Sequence, residues 1–199
     1  MGQFLEVAAE KTRGLNWTST NIARHSGVDK VDWSYLPTQY ADNSFDGIYN
    51  EHFIEHLYKY QGINFLKEAF RILKPGGTIR TVWPPYEFIE WLVRDEDLSQ
   101  HPFVEHYYRF YILKHKFAPE GNRKRRKQEQ VALGLLHQKG QHLYVWPKAE
   151  LFQVLQDLGF DDVRECEYQK SKVKEFNGID TPGQIRAMHS AVIEATKPW

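Results

Sequence analysis

Short apolar runs, each closed by a polar or acidic residue, fill the first fifty positions. "FLEV" (residues 4–7) reads as a buried strand, and "STNIA" (residues 19–23) and "VDKVDW" (residues 28–33) supply two more strand candidates. "FDGIYN" (residues 45–50) is a fourth, ending on Asn50, a residue type suited to capping a following helix. In that helix Phe53, Ile54 and Leu57 would share one side, with Glu51, Glu55 and Tyr58 facing elsewhere.

The pattern then lengthens. In "INFLKEAFRILKPGG" (residues 63–77), Phe65, Leu66, Ala69, Phe70, Ile72 and Leu73 recur at helical spacing. Lys74 falls in the expected last turn, and Pro75-Gly76-Gly77 stops the helix. "TIRTVW" (residues 78–83) is a β-branched strand ended by Pro84 and Pro85. Strand, helix, glycine turn and strand together predict a right-handed βαβ unit in a parallel sheet. Residues 86–136 differ: "YEFIEWLVRDEDL" and "FVEHYYRFYILKHKF" are aromatic-rich amphipathic helices, with the charged "GNRKRRKQEQ" between them and "VALGLL". Alternation resumes with a helix in "PKAELFQVLQDLGF", Pro147 at its start and Gly159 at its cap, then two closing strands, "VRECEY" and "HSAVIEAT". The pattern predicts one α/β domain, residues 1–199, with a mostly helical insertion at 86–136.

Composition adds little to this picture but removes several alternatives. Charged residues make up 26% of the 199 and balance to zero, so the whole chain has no general attraction for nucleic acid or acidic membranes. The basic run from Arg123 to Lys127 is flanked by Glu120 and Glu129 and reads as a solvated loop. The single cysteine, Cys166, excludes an internal disulfide and a cysteine metal cluster. No apolar stretch has membrane-spanning length, and the expected location is the cytoplasm.

"HFIEH" (residues 52–56) offers a metal alternative: on a helix, His52 and His56 would share a face, with Glu55 near a bound water. That zinc-hydrolase reading needs a third ligand, and His101, His106, His115, His137 and His142 compete for the role without distinction. The motif instead follows a buried strand directly, at the edge where open α/β sheets bind small ligands.

"LPTQYADNSFDGIYNEHFIEHL" (residues 36–57) and "FLKEAFRILKPGGTIRTVWPP" (residues 65–85) closely resemble class I S-adenosylmethionine-dependent methyltransferases, in particular the small type-11-like members. The late "LFQVLQDLGFDDVRECEY" (residues 151–168) is similar too. The resemblance implies a Rossmann-like, doubly wound, seven-stranded sheet whose last hairpin strand is antiparallel, with residues 86–136 capping the substrate side. It also implies S-adenosylmethionine as cofactor, and no metal. The cofactor's glycine-rich turn is matched by "LEVAAEK", so Ala8, Ala9 and Glu10 line the cofactor, Ala8 and Glu10 standing where the family has glycine. Asn21 stands where an acidic residue accepts from the ribose hydroxyls, without charge-assisted strength. Asp32 matches the residue that accepts from the adenine amino group, Trp33 and Leu36 flank the ring, and Asn50 and Glu51 follow the fourth strand. His52 is the candidate base or positioning residue, and Trp83, His142 and Tyr144 line the acceptor side. The implied function is methyl transfer to a small-molecule or sugar-like acceptor. Glu10 and Asn21 favour the alternative, a catalytically inactive binding or interaction protein of the same fold.

Overall fold

The computed structural model describes residues 2–23, 25–33, 35–94, 96–115 and 125–199. The described residues form seven strands: β1 (Phe4–Val7), β2 (Trp17–Asn21), β3 (Asp29–Lys30), β4 (Phe45–Glu51), β5 (Leu73–Trp83), β6 (Asp161–Glu165) and β7 (Ala191–Thr196). They form one sheet in the order β3-β2-β1-β4-β5-β7-β6. The first five run parallel, and β7 is antiparallel to both its neighbours. The expected seven-stranded Rossmann-like α/β sheet is therefore present, with β7 as the antiparallel strand.

One face of the sheet buries Leu5, Ile48, Ile79 and Ile193 against two helices, α1 (Lys59–Ile72) and α5 (Lys148–Asp157). Phe65, Leu66, Ala69 and Ile72 of α1 and Leu151 and Leu155 of α5 fill the layer between. The opposite face is built differently. Parallel strands are ordinarily joined by crossovers of about a dozen residues or more, usually helical. Among the described residues, no helix forms in the crossings at 8–16 and 22–28. Phe4, Tyr49, Val82 and Val192 on this face are covered instead by Phe176 and Ile179 from the largely irregular segment at 166–183. Gly47 lies beneath it, since a Cβ there would stand 2.7 Å from both Phe4 and Phe176.

Residues 86–136 contain α2 (Tyr86–Leu92), α3 (Pro102–Tyr107), a π-helical run Tyr108–Lys114 and α4 (Lys127–His137). Leu92, Phe103, Val104, Val131 and Leu135 form a second core with Ile185 and Met188, at and beside α6 (Gln184–Met188). Of the basic run, Arg123 and Lys124 lie outside the described residues, as does Glu120. Arg126 pairs with Glu129 and Lys127 with Glu105.

Several expectations are corrected. The helix expected directly after Asn50 does not form. His52 takes φ +48°, residues Ile54–His56 make a single 3₁₀ turn, and α1 begins at Lys59, where the Gln61 side chain accepts from the Tyr58 N–H. Asn50 caps nothing; its side chain donates to Thr81 and the Arg80 carbonyl inside the sheet. Lys74 is not in a last helical turn either, because the helix stops at Ile72 and Lys74 lies in β5, paired with Asp46 of β4. Pro75-Gly76-Gly77 makes the irregularity at which β5 shifts register against β4, between the pairs Phe45–Leu73 and Gly47–Thr78. "VDKVDW" yields only two strand residues, Asp29 and Lys30.

The irregular segment is held by charge. Arg80, in the middle of β5 with no exposed side-chain surface, donates to Asp180 at 2.8 Å through Nε and to Glu194 at 2.8 Å through Nη1. It donates to the Lys170 carbonyl as well. Removing one partner of a buried pair strands the other charge, so Arg80→Met should cost about 3–5 kcal/mol in urea unfolding. Lys74→Met, which breaks a half-exposed pair, should cost no more than about 1 kcal/mol. Equal losses would show that Arg80 does not hold the segment.

Candidate functional site

The carboxyl ends of β1, β2, β3 and β4 point to one side of the sheet, and two cavities open there. The first, about 460 Å³, is lined by Ala8 after β1, Asn21 ending β2, Asp32 and Trp33 after β3, and Phe53 after β4. Tyr58, Gln61 and Leu143 complete its wall. The second, about 500 Å³, lies under the helical segment and includes Tyr107, Tyr111, His142 and Arg186. His52 and His56 line both cavities, so the short turn at 52–56 is the partition.

Backbone geometry explains part of this. Ala8 has φ +63°, a left-handed conformation that costs an alanine about 1–2 kcal/mol and a glycine almost nothing. The position aligned with a family glycine thus has a glycine's conformation, with only a methyl group added. Asn21 is committed on both sides: Nδ2 donates to the Ala9 carbonyl at 2.9 Å and Oδ1 accepts from the Ala23 N–H at 3.0 Å. Its amide ties the loop after β1 to the loop after β2.

Of the residues singled out in the sequence, Ala8, Asn21, Asp32 and Trp33 meet in the first cavity, His142 in the second, and His52 between them. The others stand elsewhere. Ala9 is buried behind the loop, its N–H bonded to the Thr20 carbonyl, and Glu10 is exposed. Leu36 borders a separate groove with Asn64 and Lys67. Asn50 is fully buried in the sheet. Glu51 faces the C-terminal segment, accepting from Tyr49, Tyr168 and Thr181. Trp83 is a core residue whose indole N–H donates to the Trp146 carbonyl, and Tyr144 donates to Glu150. Sequence reasoning missed Phe53, Tyr58 and Gln61 of the first cavity, and Arg186 and His189 of the second. Arg186 and His189 sit in "QIRAMHS", where no motif marks them.

Five of the chain's nine histidines line the second cavity: His52, His56, His106, His142 and His189. Burial pushes His142 down to about 4 and His189 down to about 3, so both are neutral at pH 7. Between the rings lies Glu55, wholly buried. Burial opposes its charge and the neighbouring imidazoles, His52 first, favour it, with a net downward shift. His52 Nδ1 stands 3.2 Å from Glu55 Oε1, and its Nε2 stands 2.9 Å from Ser190 Oγ. A serine–histidine–carboxylate row of this kind suggests nucleophilic catalysis, but the Ser190 hydroxyl donates to the Arg186 carbonyl at 2.8 Å. Its proton is committed there, so Ser190 accepts from His52 and orients the ring.

With this geometry, the likenesses to known proteins are informative. Residues 3–81 match the family model of a methyltransferase domain. A SAM-dependent methyltransferase from Archaeoglobus fulgidus superposes with a TM-score of 0.56 at 15% identity, over 98% of this chain and 86% of that one. The chain has the class I methyltransferase fold. The 1,6-didemethyltoxoflavin-N1-methyltransferase of Burkholderia thailandensis, solved with its substrate and S-adenosylhomocysteine, superposes with a TM-score of 0.52 at 13% identity, over 100% and 72%. A chain from a Haloferax volcanii complex containing the Trm112 methyltransferase activator gives 0.51 at 13%, over 100% and 83%. No curated protein matches the sequence significantly. Among the described residues no helix is long and apolar enough to cross a membrane.

The neutral histidine in this methyltransferase-type fold sets a pH dependence. The unfolded chain binds a proton at His189 below about pH 6.5, and the folded chain resists until about pH 3. Stability contributed above pH 6.5 is therefore lost as pH falls. His189→Phe should keep the ring packing against Phe103 and Phe88 and give a flatter stability profile between pH 6.5 and 4.5 in urea titrations. Parallel profiles would mean that His189 is not held neutral.

Proposed function

We propose that this protein is an S-adenosylmethionine-dependent methyltransferase acting on a small-molecule or sugar-like acceptor. One observation carries the reading: a single cavity collects the carboxyl ends of four adjacent parallel strands, the place where open α/β sheets take their ligands. Its volume suits a nucleoside-sized ligand. When bound there, S-adenosylmethionine supplies a methyl group on a positively charged sulfur, already a good leaving group. The protein's task is to align acceptor and methyl and to manage one proton.

Asp32 accepts from the adenine amino group, Trp33 and Val31 give the ring an apolar floor, and the left-handed turn at Ala8 lets the backbone approach the methionine part. Asn21 offers its remaining lone pair to a ribose hydroxyl. The acceptor occupies the second cavity, where Tyr107 and Tyr111 present aromatic surface and Arg186 presents charge. His52, in the partition, positions the acceptor, its Nδ1 standing 3.2 Å from Glu55 Oε1. Residues 86–136 act as the cap over the acceptor within a single domain spanning 1–199. The lone Cys166 thiol fits a reducing, cytoplasmic location.

A second reading, a non-catalytic binding protein of the same fold, is favoured by Asn21, since no carboxylate stands at the end of β2. Titration calorimetry with S-adenosylhomocysteine separates the readings at the first step. Micromolar binding is expected, and Asp32→Ala should weaken it about tenfold, the loss of one hydrogen bond worth about 1.4 kcal/mol. No binding at millimolar ligand would overturn the methyltransferase assignment. Tight binding unaffected by Asp32→Ala would overturn the placement of the adenine.

A further inference from the structure

The partition between the cavities contains a set of groups that methyl transfer does not use. One ligand-type atom from each of Glu55, His56 and His142 lies within 4.8 Å of the other two. His56 Nδ1 is 3.0 Å from the Gln141 carbonyl oxygen, and His142 Nδ1 is 2.5 Å from the Leu135 carbonyl oxygen. A carbonyl can only accept, so both rings carry their proton on Nδ1 and leave the Nε2 lone pair free. Glu55 has no exposed surface; His52 Nδ1 stands 3.2 Å from its Oε1, and among the described residues no hydrogen bond reaches its Oε2. Two imidazoles and a buried carboxylate with one unsatisfied oxygen therefore share one small space. Buried groups of this kind are satisfied by a charged partner or by a metal ion.

We propose that Glu55, His56 and His142 form a binding site for a late first-row divalent cation of the zinc type. Two imidazoles and one carboxylate are the ligand class that such ions select, whereas magnesium and calcium prefer oxygen sets. The ring N–H to carbonyl bonds are the outer support that metal-binding histidines commonly have, fixing tautomer and orientation. The backbone holds the ligands in register as well. The Leu143 and Tyr144 N–H groups both donate to the Glu55 carbonyl, at 2.8 and 3.2 Å, clamping the loop that carries His142 onto the turn that carries His56. His56 and His142 also line the second cavity, so a fourth coordination position opens toward whatever molecule occupies it. The site differs from the one "HFIEH" suggests on a helix: His52 is not one of the clustered ligands, its Nε2 engaging Ser190, and Glu55 is itself a ligand. It stands whether or not the chain transfers methyl groups.

The test uses the untagged full chain after chelator treatment, with Co²⁺ and Zn²⁺ as probes. One equivalent of Co²⁺ should give the intense visible bands of a low-coordinate site, and Zn²⁺ should abolish them. Zn²⁺ should also raise the melting temperature while Mg²⁺ does not. Glu55→Gln and His142→Ala should each weaken Co²⁺ binding by about a hundredfold or more. His25→Ala, remote from both cavities, should leave it unchanged. Absence of both the bands and the Zn²⁺ shift in the wild-type chain would overturn the proposal without any variant having to fold. Binding that survives in both ligand variants would overturn it too, by placing the metal elsewhere.

Discussion

A guanidinium buried in the centre of the sheet is the constraint on which the rest of this molecule depends. Arg80 has no access to water, and an isolated charge there would be far too costly to keep. Asp180 and Glu194 neutralise it, one from the irregular C-terminal segment and one from β7. Glu194 lies directly across from Arg80 in the strand register and binds Arg164 of β6 on its other side. The same contact thus fixes the antiparallel end of the sheet and folds residues 166–183 back over its face.

That cover matters because the sheet is unevenly clothed. The crossings after β1 and β2 are too short to place helices, so on the second face the task passes to Phe176, Ile179 and the chain around them. The segment emerges at the carboxyl edge of the strands. There Thr181 holds Glu51, and Arg186 and His189 enter the wall of the polar cavity. The cover of the sheet and the wall of the cavity are one stretch of chain, anchored by the Arg80–Asp180 and Arg186–Glu51 ion pairs.

The turn at 52–56 plays the corresponding role between the cavities. Its left-handed His52 and single 3₁₀ turn replace what would otherwise be the first turns of a helix. The consequence is that His52 and His56 both stand near Glu55 yet bond to different partners beyond it. His52 reaches Ser190, and His56 reaches the loop before α5. A helix would have spaced the same residues regularly along one surface and brought neither partner into reach.

Most of the sheet was legible in the sequence because β1, β4, β5 and β7 are apolar-rich runs with their own stops, and α1 and α5 because their apolar residues recur at helical spacing. Burial of a periodic face is a local property, and the sequence alone records it. The segments it misjudged are those where a long-range contact outweighs local preference. Asn50 is drawn into the sheet by Thr81 and Arg80, and the 52–56 turn is shaped by its bonds to residues beyond 140. Four of the expected cofactor-side residues converge because they end parallel strands, a placement that follows from the alternation itself. The meeting of His56 with His142, and of Arg80 with Asp180, follows only from tertiary packing. Residues so far apart in the chain carry no spacing that marks them as partners, and desolvation in a shared interior decides which charges and lone pairs face one another.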